Sequence, residues 1–273
     1  MRLFIPALVA ITTAVPVQAQ HAAPFTGGYA AITLAYDFQP NDVDERVYFD
    51  RDLNGTYADT VRTAGGADAF APGFCNGRYL GASNVLGCTN DLDNLSYSAR
   101  LGYDQQYGSL VFGIVTELGR TEIKDYVTAF SSTPASYSFE RSVDFMASVR
   151  ARLGLAANET LFYTSFGPTY ANLKNRFRTT NTANSFTPRG GKDSWGFTAG
   201  GGVEQRIGRN FTMGLEYLYT QLNHDDYIVR VGQGIAPATN PFVLAPNTTG
   251  TDLLRSDPKF QWHSIRLATG YRF

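Results

Sequence analysis

The chain is short of charge, of thiols and of long apolar runs, and each shortage removes a class of protein. Of its 273 residues, 17% are Asp, Glu, Lys or Arg, against the usual quarter. The basic residues are scattered and the net charge is -1. There is therefore no basic face of the kind that grips nucleic acid. There are only two cysteines and three histidines. No histidine lies near the cysteine pair, so the four N or S ligands of a structural zinc site are missing. No Gly-x-Ser-x-Gly elbow occurs, which removes the lipase-type hydrolases. Beyond the N-terminus no stretch is apolar enough for a transmembrane helix.

What is present points another way. Aromatics reach 14%, with 16 Tyr and 19 Phe, beside 27 Gly, a composition that favours strands. The opening MRLFIPALVAITTAVPVQA has one Arg, an apolar stretch from Leu3 to about Val15 and the small-residue exit Val17-Gln18-Ala19. This predicts a secretory signal peptide over 1–19, cleaved after Ala19. Its apolar core is too short to span a bilayer, which needs ~20 residues. An exported chain meets oxidising conditions, so the close pair Cys75 and Cys88 reads as one disulfide.

Residues then alternate with period two, segment after segment. YAAITLAYDF sets Ala30, Ile32, Leu34, Tyr36 and Phe38 on one face. NLSYSARLGYD sets Leu95, Tyr97, Ala99, Leu101 and Tyr103 against Ser96, Ser98, Arg100, Gly102 and Asp104. SLVFGIVTELGR sets Leu110, Phe112, Ile114, Thr116 and Leu118 against a face with Glu117. FERSVDFMASVRARLGL sets Phe139, Val143, Phe145, Val149 and Leu153 against Asp144, Ser148, Arg150 and Arg152. DSWGFTAGGGVEQRI, FTMGLEYLYTQ and the terminal HSIRLATGYRF repeat the pattern. TLFYTSFGPTYANLK has strand composition but mixed faces, so its inward side is unassigned. Period two, without recurrence at three and four, predicts eight strands and no long helix.

The connections alternate as well. Tight turns near 105–108, 157–159 and 208–210 are interleaved with long polar stretches at roughly 39–93, 122–138, 175–193 and 223–258. An even strand number with this asymmetry predicts an all-β fold: an eight-stranded antiparallel transmembrane β-barrel over 20–273, with short periplasmic turns and four long extracellular loops. The apolar face then meets lipid. Eight strands enclose a lumen that side chains fill, so its charges must pair. Arg100, Arg150, Arg152, Arg206, Arg266 and Arg272 share the inferred inward face with Glu117, Asp144, Glu204 and Glu216. Glu216 and Arg266 fall at similar heights on neighbouring strands, which predicts that Glu216 pairs with Arg266, Arg150 or both.

The signal peptide, the eight alternating strands, WGFTAGGGVEQRIGRNFTMGLEYLYTQL and the final GYRF resemble the outer-membrane β-barrel family that includes OmpA-type barrel domains and opacity-type surface proteins. The resemblance implies a bacterial outer-membrane location, with the lipid bilayer, lipopolysaccharide and the barrel assembly machinery as partners and host or cell-surface contacts through the loops. It also implies that Tyr271 and the terminal Phe273 form an assembly signal. The first loop departs from the family in its length and its cysteine pair, and no peptidoglycan-binding domain follows the barrel.

Four further motifs bear on chemistry. NHDDY places His224 beside Asp225 and Asp226 at a barrel rim, which reads as a solvated rim with no second carboxylate cluster to make a hydrolase. His263 and Ser264 are adjacent, so on a strand they face opposite ways and form no nucleophile–base pair. In DRDLNGTYADTV, Asp50, Asp52, Asn54 and Gly55 fit the first half of a calcium loop, but Val61 stands where a bidentate Glu is needed. It reads as a polar turn. GGGVE at 200–204 lies mid-strand, without the strand–helix context of a phosphate loop. The expectation is therefore no catalytic residue, cofactor or metal. The function expected is a structural and interaction scaffold, with a small-solute pore as the alternative and a hydrolase as a weaker one.

Overall fold

A computed structural model describes residues 24–39, 44–224, 227–245 and 248–273. The expected signal peptide at 1–19, together with His21, lies outside them. Eight strands close into one barrel: β1 (Gly27–Phe38), β2 (Asn94–Tyr107), β3 (Leu110–Thr121), β4 (Ala135–Ala157), β5 (Thr160–Thr179), β6 (Asp193–Ile207), β7 (Phe211–Asn223) and β8 (Lys259–Arg272). Each pairs antiparallel with its sequence neighbours. β8 closes the ring on β1, with Leu34 opposite Leu267. Closure leaves no edge in the barrel wall.

The apolar stripe faces outward. Ile32, Leu34, Leu101, Phe112, Leu118, Phe162, Leu215 and Leu267 are all exposed. The opposite stripe is buried in the lumen. Three tight turns share one end, and Gly108 and Gly208 supply the positive φ that two of them need. Inside, Gly102 carries the ring of Tyr29: a Cβ there would sit 2.3 Å from Tyr29 Cζ. The unassigned strand resolves as well. On β5, Leu161, Tyr163, Ser165, Thr169 and Leu173 point inward, while Phe162, Phe166 and Tyr170 point away from the lumen. Its faces look mixed because its inward side carries the apolar floor and plug of the lumen.

One inward assignment fails. The register of β4 against β5 shifts between Asn172 and Leu173, which face Phe145 and Val143. Asp144 is the extra residue of a β-bulge, and a bulge reverses the parity of everything beyond it. Asp144 therefore lies on the outside and pairs with Lys174, while Val143 and Phe139, expected on the lipid face, are buried inside.

The long connections are not open loops. β4 has 23 residues and β5 has 20, twice the ~9–11 that cross a bilayer. Their upper halves rise beyond the barrel wall. There β4 pairs with strand Lys124–Ser131, which pairs in turn with Gly73–Asn76. A separate sheet assembles Ser185–Arg189, Ile228–Gly232, Thr251–Arg255 and Val47–Asp50, in that order. Between the two lies an apolar core that includes Phe49, Phe70, Tyr137, Phe139, Val231, Phe242 and Leu253. The polar stretches thus fold into one cap.

Candidate functional site

The lumen is stacked in tiers from the turn end to the cap. At the floor Phe25, fully buried, packs on Val111, Leu161 and Tyr163. Its N–H donates to Gln106 Oε1 at 3.1 Å, and its carbonyl accepts from Arg272 Nη1 at 2.9 Å. The segment before β1 is thereby tucked into the barrel. Arg206 lies at this rim. It donates to the Pro24 carbonyl at 2.9 Å, and its nearest carboxylate is Glu159 at 3.8 Å.

Above the floor, Arg152 and Arg272 share Asp104 and Glu204. Arg152 reaches Asp104 at 2.8 Å and also contacts Glu204, while Arg272 reaches Asp104 at 2.6 Å and Glu204 at 3.0 Å. The Arg152 guanidinium lies 3.7 Å from the Tyr163 ring centre, a cation–π contact that helps offset desolvation. The next tier holds Arg100, Arg150 and Arg266 around Glu117 and Glu216. Arg100 meets Glu216 at 2.8 Å and Glu117 at 3.3 Å. Arg150 and Arg266 meet Glu117 at 3.0 and 2.5 Å. Glu216 also accepts from Tyr163 Oη at 3.1 Å. Its nearest cation is Arg100, while Arg266, directly opposite on β8, stands at 3.6 Å and Arg150 at 4.0 Å. Four carboxylates thus pair with five guanidiniums in the two tiers, and Asp37 is buried one level higher. Burying charge is tolerable only under such pairing.

A hydroxyl tier follows, in which Thr169, Thr198 and Thr220 are linked at 2.7 and 3.0 Å. A cavity of about 10 Å³, bordered by Asp37, Arg150, Arg266 and Trp262, lies at this level and has room for about one water. Above it Ile123, Val143, Leu173, Leu222, Phe260 and Trp262 form an apolar plug across the mouth. Sequence reasoning missed this plug. Phe260 and Trp262 precede the stretch read as the last strand, and Val143 reaches the lumen only through the bulge.

A buried ion cluster joins plug to cap. Arg141 meets Asp125 at 2.6 Å and stacks on Phe260 with a 5.0 Å centre distance. Arg255 bridges Asp125 at 2.5 Å and Glu45 at 2.7 Å. Burial pushes Glu45 up to about 7, against the pull of Arg255. Burial, joined by the charge of Asp125, pushes Asp91 up to about 8. Burial acts in the same direction on Asp125, but Arg141 and Arg255 together overcome it and hold that carboxyl below its usual range. Arg141 and Arg255 thus serve Asp125 and Glu45, while Asp91, among the described residues, accepts only from the Tyr126 N–H at 2.8 Å, and burial favours the protonated form of Glu45 and Asp91.

The remaining candidates lie around the cap. Cys75 and Cys88 are joined by a disulfide, 13 residues apart, beside the strand Lys124–Ser131. Carboxylate oxygens of Asp50, Asp52 and Asp59 come within 4.8 Å of one another. Asp50 accepts from the Asn54 and Gly55 N–H groups at 3.1 and 2.8 Å, and Val61 is buried in the cap core. His224 is buried and bonded to Asn175 at 2.7 Å; Asp225 and Asp226 lie outside the described residues. Phe273 is 76% exposed at the β8–β1 seam, beside Tyr271, and donates its N–H to the Gly28 carbonyl at 3.0 Å.

The family model described as "Outer membrane protein beta-barrel domain" matches residues 7–273. A 31 kDa outer-membrane immunogenic protein of Brucella melitensis is 27% identical over 174 residues, 63% of each chain. A 22 kDa outer membrane protein of Rhizobium leguminosarum is 28% identical over 160 residues, 57% of this chain and 68% of its own. The match thus spans under two thirds of the Brucella relative's length. The crystal structure of Ail, the attachment invasion locus protein of Yersinia pestis, aligns over 91% of this chain and 100% of its own with 12% identity and a TM-score of 0.35.

Proposed function

The chain belongs to the outer membrane protein beta-barrel domain family, and on that premise we propose that it is a closed scaffold which holds a folded cap at the cell surface, rather than a pore. The outer membrane is its site. One observation carries the reading: the lumen is obstructed at every level, by Phe25 at the floor, two Arg–carboxylate tiers in the middle and the Trp262 plug at the mouth. A conducting path must be wide and wet, and barrels with open aqueous channels have about 16 or more strands. A solute in this lumen would have to part buried ion pairs and displace an apolar plug. What remains available is the cap, whose surface is the part a partner can reach. The bilayer is the partner of the outward apolar stripe; contacts of the cap with other cells belong to this proposal.

The test is conductance. Wild-type protein reconstituted in a planar bilayer should give no steady current. Large, steady single-channel currents from the wild type would overturn the scaffold in favour of the pore.

A further inference from the structure

The disulfide hairpin of the first long connection takes no part in filling the lumen. Arg78–Tyr79 pairs with Cys88–Thr89, and the bond from Cys88 to Cys75 clamps this base to the cap strand Gly73–Asn76. The finger that projects from it ends in a short 3-10 turn, Asn84–Leu86, capped by Ser83. Its side chains are ill suited to water. Val85 is 90% exposed, Leu80 61% and Leu86 59%. From Tyr79 to Asn90 there is no Asp, Glu, Lys, Arg or His. Elsewhere off the barrel, the exposed large apolar side chains among the described residues are Tyr48, Leu92 and Ile235, so no other turn of the cap presents three together.

We propose that this finger inserts its apolar tip into the lipid bilayer of an apposed cell or vesicle. The exposed side chains gain by leaving water, and the tip carries no charge to resist the move. Its backbone is prepared as well. The N–H groups of Leu86 and Gly87 donate to the Ser83 and Asn84 carbonyls at 3.1 and 2.9 Å, and that of Leu80 to the Gly87 carbonyl at 3.1 Å, so entry into lipid strands none of these donors. Leu86 is held against the opposite arm: a Cβ on Gly81 would come 2.4 Å from Leu86 Cδ1. With its base clamped, the finger loses little freedom on binding. Size disfavours a protein partner. A stable interface buries about 800 Å² per partner, and three aliphatic side chains on a convex tip offer a fraction of that. A fluid bilayer closes round any shape, and binding to it scales with apolar area. The membrane that holds the barrel is out of reach. Gly77, at the base, accepts from Thr128 at 2.8 Å, and Thr128 faces Ser138 of β4. Ser138 lies 19 residues along β4 from Ala157 at the turn end, against the ~9–11 that cross a bilayer. From there the finger runs outward, since Asn84 Nδ2 bonds the Pro72 carbonyl, beyond Gly73 at the outer end of its strand.

The inference rests on the cap being presented at the cell surface. In the experiment, the whole protein in nanodiscs is immobilised at high density on a sensor, so that many weak fingers act together. Vesicles of pure phosphatidylcholine are then passed over it. They should be retained at least tenfold more than on empty nanodiscs. Adding phosphatidylglycerol to the vesicles should change retention less than twofold, because the tip offers no cation. Val85→Asp, at an exposed site, should cut retention at least fivefold, and Val85→Leu should keep it. Both variants should migrate as the folded wild type on unheated gels. Retention no better than on empty nanodiscs, unchanged retention in Val85→Asp, or a requirement for anionic lipid would each overturn the proposal. Retention of vesicles shed by eukaryotic cells, without retention of pure phosphatidylcholine, would point to a protein or glycan partner and overturn it as well. No retention with a silent bilayer leaves the scaffold standing, whereas a conducting barrel that retains vesicles overturns only the scaffold.

Discussion

Glu216 is the residue on which the middle of the barrel depends. It is buried beside three guanidiniums and one tyrosine hydroxyl. Truncating one partner of a buried ion network costs about 3–5 kcal/mol, because the cations left behind have lost their counter-charge. Glu216→Ala should therefore lower the unfolding free energy of the barrel, read from its urea transition in detergent, by that order, and Glu216→Gln, which keeps the shape and one acceptor, by less. An unchanged unfolding free energy for the Ala variant would remove the tier from any stabilising role. At the other end of β8, deletion of Phe273 should slow assembly and leave precursor in the periplasm; normal outer-membrane levels would refute a targeting role. At this scale the sequence was informative about direction and uninformative about partner. Period two put Arg100, Glu117, Arg150, Arg152, Glu204, Glu216 and Arg266 on one side, because parity is a local property. It did not rank Arg100 as the nearest cation to Glu216, because that depends on how β2 and β7 face each other across the lumen, and no local pattern encodes it.

Among elements, the barrel strands were legible and the cap was not, for a common reason. A strand of 12 or more residues repeats its pattern often enough to be seen, whereas the cap sheet is built from pieces of four and five. Thr251–Arg255 meets Val47–Asp50 across some 200 residues of chain. The bulge at Asp144 was hidden too, since a single extra residue looks like continued alternation until its partner strand is known. The disulfide is a local staple within this region. Closing a loop of about 15 residues contributes about 3 kcal/mol, so Cys75→Ser should speed proteolysis between 70 and 90 without preventing insertion. Two free thiols in protein from intact cells, measured by mass, would sink the pairing. The ion cluster under the cap sets a pH dependence. Glu45 and Asp91 have folded values raised above their usual range, so the folded cap binds protons that the open one releases. Cap stability should then fall as pH rises from about 5 to about 8. Asp125, held low, acts oppositely, and its contribution is lost only below its ordinary range. The protection of the Thr251–Arg255 amides, after correction for the base-catalysed intrinsic exchange rate, should be greater at pH 6 than at pH 8; the reverse order would mean that the cluster is fully ionised in the docked state.

For the whole molecule, closure is the governing property. Because each barrel strand is paired on both sides, the wall has no edge from which detergent can unzip it. Unheated protein should run faster on gels than boiled protein, and identical mobility would count against a closed barrel. The fold class was readable from three global regularities: an even strand number, turns short at one end and long at the other, and apolar residues on the outer stripe. The filling of the lumen was half readable. Its charges were visible by parity. Its plug and floor were not, because Phe25, Phe260 and Trp262 look like any aromatic near a strand end until the ring closes.

The unbroken run of β4 and β5 from the turn end into the cap has a mechanical consequence. A partner that grips the tip of the cap pulls along the length of these two strands, and their shared ladder of hydrogen bonds takes the load in shear, many bonds at once, instead of peeling one by one. Tension applied outside the cell is thus delivered to the barrel wall along two continuous strands, with the bulge at Asp144 as the one shift of register between them. The cap should behave as a rigid mast stepped through the deck of the membrane, able to bear traction and drag from a moving surface without first unfolding.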